Sequence, residues 1–236
     1  KQVLDQSAKN LAEQYRDQPQ TRAEIVEALG ALYLYMNDAE GAAPLLRGYL
    51  KSSDITPDAR AQVTGLLAQA ELQLGNKTEA RRLLDAAQAF WNKNPAQNRK
   101  ALVEFRLTQA LIEKEESGLP TSIRTLQLAL LEHDDYYGRN AIETAVLLNS
   151  LGIAYQANGD IDKADAAFRD SWNVYEKLGQ VRSAGALLVM GNWTTVAYRK
   201  NDFVRAEELL LKATTLRRDL YGPSAGLASM QGNLGK

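Results

Sequence analysis

The chain has 236 residues, with 28 Lys and Arg against 29 Asp and Glu, a formal net charge of −1, 45% apolar residues and no cysteine. So even a balance gives no electrostatic drive toward phosphate backbones or anionic lipid, which excludes a nucleic-acid-binding class and direct membrane contact. Without cysteine there is neither disulfide nor thiolate chemistry, and the redox compartment stays open. No apolar run reaches the length of a membrane span and no signal-peptide pattern is present.

Taken in order, residues 2–17 read as a helix with Val3, Leu4, Leu11 and Tyr15 on one side, a cap for the first helix pair. Thr21 with Glu24 three residues on predicts a capping-box start for the next helix. Asn37-Asp38 ends that helix, and a return helix comes from about Ala39 with Pro44 near its first turn. Thr56-Pro57-Asp58 is a strong helix start: an N-cap hydroxyl, a proline at the first helical position, then an acid at the positive helix end. Gly75-Asn76 stops that helix, and residues 78–91 return. The spacing predicts one helix over 97–117, closed by Gly118-Leu119-Pro120 after an inserted residue, with 121–134 returning. Asn140-Ala141 opens a fourth pair and about Val181 a fifth, which Gly222-Pro223 ends.

Recurrence ties these helices together. Around Leu148–Phe168, Leu148, Leu151, Gly152 and Tyr155 share one helix face, and Ala164, Phe168 and, just beyond, Ser171 share another after the break at Gly159-Asp160. Steps of 42 from Ala164 reach Ala206, Ser122 and Ala80; Phe168 maps onto Leu210, Leu126 and Leu84, and Ser171 onto Ala213, Ala129 and Ala87. An earlier copy holds Leu29, Gly30, Tyr33, Ala42 and Leu46 in the same roles. This alternation of large and small residues resembles the tetratricopeptide repeat. The resemblance implies an all-α, right-handed superhelical α-solenoid of about five repeats with an N-terminal capping helix. The expected organisation is a cap over 1–20, pairs near 21–52, 57–93, 97–134, 140–179 and 181–222, and a truncated further repeat over 224–236. A spacing of 43 between Asn149 and Asn192 places Tyr198 in the slot of Tyr155. With Lys1 first and a repeat-like SMQGNLGK last, the chain reads as a piece of a longer protein.

Signatures of catalysis are missing from the sequence. The single histidine, His133, has no metal-like spacing around it and reads as a solvated surface residue. No GxxxxGK[ST], GxGxxG or HExxH string occurs. The carboxylates Asp160, Asp162 and Asp165 fit helix capping better than calcium binding, because no terminal bidentate glutamate stands at the right distance. No catalytic residue, metal site or cofactor is expected.

What remains is a surface. In a stack of helix pairs the first helices line one side, and residues a step off the core face point into it. These are Glu27, Ala31, Leu34 and Tyr35 in the first pair, and Gln69, Leu72 and Gln73 in the second. In the fourth they are Asn149, Ile153, Gln156 and Ala157, and in the fifth Asn192, Val196, Arg199 and Lys200. Asn149, Asn192 and Asn233 predict an amide ladder able to pair with a peptide's main chain, or else to bridge neighbouring helices. Arg199 and Lys200 are candidates to hold a carboxylate, or are ordinary surface. Trp91, Trp172 and Trp193 are expected to pack between repeats. The partner is expected to be a protein or peptide, with self-association as the alternative.

From Val3 to Leu46, Asp17-Gln18-Pro19, Leu29-Gly30, Tyr33 and Ala43-Pro44-Leu45-Leu46 carry a narrower likeness. This stretch resembles the entry to the C-terminal repeat region of bacterial membrane-anchored serine/threonine protein kinases. The resemblance implies a sensing or docking array in a signalling protein. The kinase VAIK, HRD and DFG strings are not in the chain, so no phosphoryl-transfer residue is assigned. Similar arrays also follow DNA-binding domains in bacterial regulators.

Overall fold

A computed structural model describes residue 15 and residues 17–222. The expected cap over 2–17 lies almost wholly outside the described residues, and so do the expected further repeat and Asn233. Every regular element among the described residues is a helix. The first pair is α1 (Pro19–Tyr35) and α2 (Ala39–Leu50), and the second is α3 (Pro57–Gln73) and α4 (Lys77–Trp91). Helices α5 (Arg99–Glu104) and α6 (Arg106–Glu116) precede α7 (Leu119–Tyr137). The last two pairs are α8 (Ile142–Asn158) with α9 (Ile161–Lys177), and α10 (Ala184–Arg199) with α11 (Phe203–Tyr221). Two compact units divide after Ile112, inside α6. In the first, α1 packs on α2 and α3, α2 on α3, and α3 on α4. In the second, α7, α8, α9, α10 and α11 pack consecutively, and α8 also touches α10.

The column of small residues explains how close the paired helices come. Ala42, Ala80, Ser122, Ala164 and Ala206 are each the fourth residue of a return helix, and each is buried. One turn on, Leu46, Leu84, Leu126, Phe168 and Leu210 fill the space beside them. Gly152 is required by that packing: a Cβ there would stand 2.6 Å from Cε1 of Phe168. The return helix α4 buries Ala80, Leu83, Leu84, Ala87 and Trp91, a single stripe at three- and four-residue spacing. By contrast α8 buries Thr144, Ala145, Leu147, Asn149, Leu151, Gly152, Ala154 and Tyr155, because it is covered by its partner and by neighbouring helices.

Each turn between paired helices holds one residue with left-handed backbone: Asn37, Gly75, Gly118, Gly159 and Asn201. Glycine adopts that conformation without steric cost, and asparagine tolerates it. In four turns the next amide reaches back to the carbonyl five residues earlier: Asp38 to Tyr33, Asn76 to Glu71, Asp160 to Tyr155 and Asp202 to Ala197, at 2.8–3.0 Å. This bond defines equivalent positions, and it corrects the register expected for the fifth pair. Ala197, not Tyr198, takes the place of Tyr155, and both α8–α10 and α9–α11 start 42 residues apart. Tyr198 is instead exposed, with its ring edge-on to Phe203.

Other departures are local. Helix α1 starts at Pro19, so Thr21 lies within its first turn and forms no capping box; Gln18 is the N-cap, without a side-chain bond. The fixed φ of a proline at the first helical position starts the helix earlier than the hydroxyl would. Pro44 sits well inside α2, on an exposed side, and not in its first turn. Thr56 caps α3 as its sequence predicts, accepting from the Ala59 amide at 3.3 Å. The helix expected over 97–117 is interrupted at Phe105, whose ring stacks on Trp91 with centroids 4.9 Å apart. The residue expected to be inserted before Gly118 is not there: the N-caps Asn76, Gly118 and Asp160 stand 42 apart, and Gly118 takes the N-cap position itself, one place later than the turn glycines Gly75 and Gly159.

His133 is buried, 2% exposed, and not a solvated surface residue. Its Nδ1 lies 3.3 Å from the Thr144 hydroxyl and its ring stacks on Tyr137. The α7–α8 contact covers it, and a lone spacing pattern could not reveal that contact.

Candidate partner-binding surface

In the second unit the expected groove residues are brought together, but largely onto one another. Asn149 is buried, and its Oδ1 accepts from Nδ2 of Asn192 at 3.0 Å. The ladder therefore exists between α8 and α10 as a bridge from helix to helix. Arg199 Nη1 donates to the main-chain carbonyl of Gln156 at 3.1 Å. Lys200 is 2.9 Å from Asp162 and 3.6 Å from Asp165, and the bond to Asp162 leads in holding its ammonium above the usual lysine range. These acids thus face the cation of the next pair, and Asp160 makes no capping bond to α9. Asp165 also accepts from Nε1 of Trp193 at 2.6 Å, while Arg205 lies over the Trp193 ring. Val196 is fully buried in the core.

In the first unit, Leu34 is core and Tyr35 is 87% exposed at the end of α1. Gln73 is exposed and Gln69 half-buried on α3. Glu27 stands in a different setting. It lines a cleft of about 510 Å³ whose walls come from α1, the start of α3, and α5 with the turn before it. Carboxylates from all three walls face this space: Glu24 and Glu27, then Asp58, then Glu104, with Lys100 as the cation among them. Amides of Gln20, Gln62, Gln97 and Asn98 share the lining.

Burial is the main cause that pushes the Glu27 carboxyl above the usual carboxylate range. Glu24 adds to it, Lys100 opposes it, and Glu104 adds again. The folded chain therefore holds this proton more tightly than the unfolded chain does. Its contribution to stability is present below the ordinary carboxylate pKa and is lost as pH rises through the raised value. Glu27→Gln is expected to match the parent's thermal unfolding in acid, below the carboxylate range, and to exceed it at neutral pH. Identical shifts at both pH values would contradict this account.

Glu27 was the legible member of this cleft. Glu24, Asp58, Lys100 and Glu104 were missed because they lie on helices far apart in sequence, and no local pattern joins them. Among the described residues, no three His, Cys, Asp or Glu side chains are grouped to hold a metal ion, and no helix is long and apolar enough to cross a membrane.

Residues 144–178, which cover the fourth pair, match the sequence profile of the tetratricopeptide repeat. BtubC (BKLC) from P. vanneervenii has a similar structure, with a TM-score of 0.72 at 20% identity over 94% of this chain and 91% of that one. The fold is that of a tetratricopeptide repeat array. A putative kinesin light chain from Podosopora anserina with nearly identical TPR-like repeats superposes at a TM-score of 0.62, with 16% identity over 86% of this array and 98% of that chain. A signal transduction ATPase with numerous domains from Pyrococcus horikoshii, which has a tetratricopeptide repeat sensor, gives 0.70 at 14% identity. That match covers 96% of this array and 32% of the ATPase. No curated protein matches the array in sequence.

Proposed function

We propose that this tetratricopeptide array is a non-catalytic module that binds a protein or peptide along its first-helix face. The observation that carries the reading is the cleft walled by α1, α3 and α5: successive first helices present polar side chains and one large open space. In the second unit the equivalent polar groups already bond to one another, so the first unit is the better candidate for a partner. The work of such an array would be recognition, with main-chain and side-chain hydrogen bonds from amides and carboxylates.

The parent we favour is a bacterial signalling protein, a serine/threonine kinase in which this array is the C-terminal sensing or docking region. The likeness carried by Asp17-Gln18-Pro19, Leu29-Gly30 and Ala43-Pro44-Leu45-Leu46 supports it. The coding sequence upstream of Lys1 tests it: a kinase domain is expected, and a winged-helix domain would replace this parent with a transcriptional regulator.

Binding itself is tested by selecting a displayed peptide library on the array. Selected peptides are expected to lose affinity on Glu27→Ala with Gln62→Ala, and to keep it on Arg82→Ala with Arg124→Ala on the return helices. Selection of no peptide, or loss confined to the return-helix variant, would overturn the assignment.

A further inference from the structure

We propose that the cleft between α1, α3 and α5 docks a lysine- or arginine-bearing segment of a partner protein. The inference deepens the peptide-binding reading and rests on it. The apolar part of the cleft lining is formed by Ala23, Ala59 and Ala101 with Trp91, all buried. Around it the charge is one-sided. Lys100 lies 3.7 Å from Glu104, and no cation is paired with Glu24, Glu27 or Asp58 among the described residues.

Glu27 decides the chemistry of the occupant. Its carboxyl is half-buried and receives no hydrogen bond among the described residues, so it has lost part of its hydration with only the longer-range attraction of Lys100 in exchange. A long cationic side chain supplies what is missing. Its aliphatic stem covers this apolar lining while its charged head reaches the carboxylate in a charge-assisted hydrogen bond. Glu24 and Asp58 on opposite walls add attraction at longer range, and the same field repels an acidic peptide or a phosphate backbone.

The probe is a short labelled peptide of alternating lysine and alanine, read by fluorescence anisotropy, beside its lysine-acetylated copy and a glutamate–alanine peptide. The lysine peptide is expected to bind about tenfold or more tightly than either control. Glu27→Gln should weaken it by a comparable factor. Lys100→Gln should tighten it, a result that damage to the fold cannot produce. Equal binding of the acetylated copy, or unchanged or weaker binding to Lys100→Gln, overturns the proposal. If library-selected peptides still depend on Glu27 and Gln62 but not on positive charge, the cationic assignment alone falls. If neither kind of peptide binds, the peptide-binding reading falls with it.

Discussion

Arg47→Met is expected to destabilise the first unit by about 3–5 kcal/mol, the cost of leaving a buried charge without its partner. The reason lies in Glu71, which is 1% exposed. The Asn76 amide bonds back to the Glu71 carbonyl as Asp38 does to Tyr33 and Asp160 to Tyr155. A carboxylate therefore occupies a slot that two other pairs fill with an aromatic ring. It persists there because Arg47 reaches it from α2 in a close ion pair and Nδ2 of Asn76 donates to its other oxygen at 2.7 Å. Removing the guanidinium leaves one neutral hydrogen bond to satisfy a desolvated charge. The double variant Arg47→Met with Glu71→Leu should recover most of the loss, since a buried ion pair is often no more stabilising than well-packed apolar residues. Denaturant unfolding of the four proteins of this cycle measures it. A cost of Arg47→Met near the ~0–1 kcal/mol of an exposed pair would show that water reaches Glu71.

Phe168→Ala should cost about 3–5 kcal/mol, the usual range for a buried phenylalanine. The side chain is fully buried against the first helix of its own pair, with its ring over the place where Gly152 has no side chain. Gly152→Ala alone should cost about 1–3 kcal/mol by overpacking, because its methyl would stand 2.6–2.8 Å from the ring. Together the two changes should cost less than their sum, as the new methyl occupies part of the space the ring vacates. Strict additivity in denaturant unfolding would mean that the two residues do not share one packing volume.

The repeat was legible because its signals are local. Small and large residues recur at fixed steps, and Gly75, Gly118 and Gly159 stand at turns whose backbone conformation suits glycine. Thr56-Pro57-Asp58 announced a helix start for the same reason. Register was harder. Asn149 with Asn192 and Tyr155 with Tyr198 match in residue type at a spacing of 43, whereas the turn bonds of Asp160 and Asp202 set the period at 42, and the two asparagines turn out to be hydrogen-bonded neighbours. Residues that touch across helices need not occupy equivalent positions.

The candidate surface divides along the same line. Sequence by itself determined that this chain is a set of helix pairs with large-to-small packing between partners, since periodicity and turn chemistry are written within a few dozen residues. Only tertiary structure decided where polar groups end up. Asn149, Asn192, Arg199 and Lys200 looked available, and their bonds to groups 35 or more residues away, Lys200 to Asp165 among them, engage them with their own chain. Nothing in the local sequence marks Glu71 as a core residue, and it is buried, reached from the surface by the half-exposed Arg47. Glu24, Asp58 and Glu104 belong to three separate helices and share a cleft with Glu27. A charge takes its role from the distance to other charges and to water, and in a folded chain those distances are set by contacts between helices.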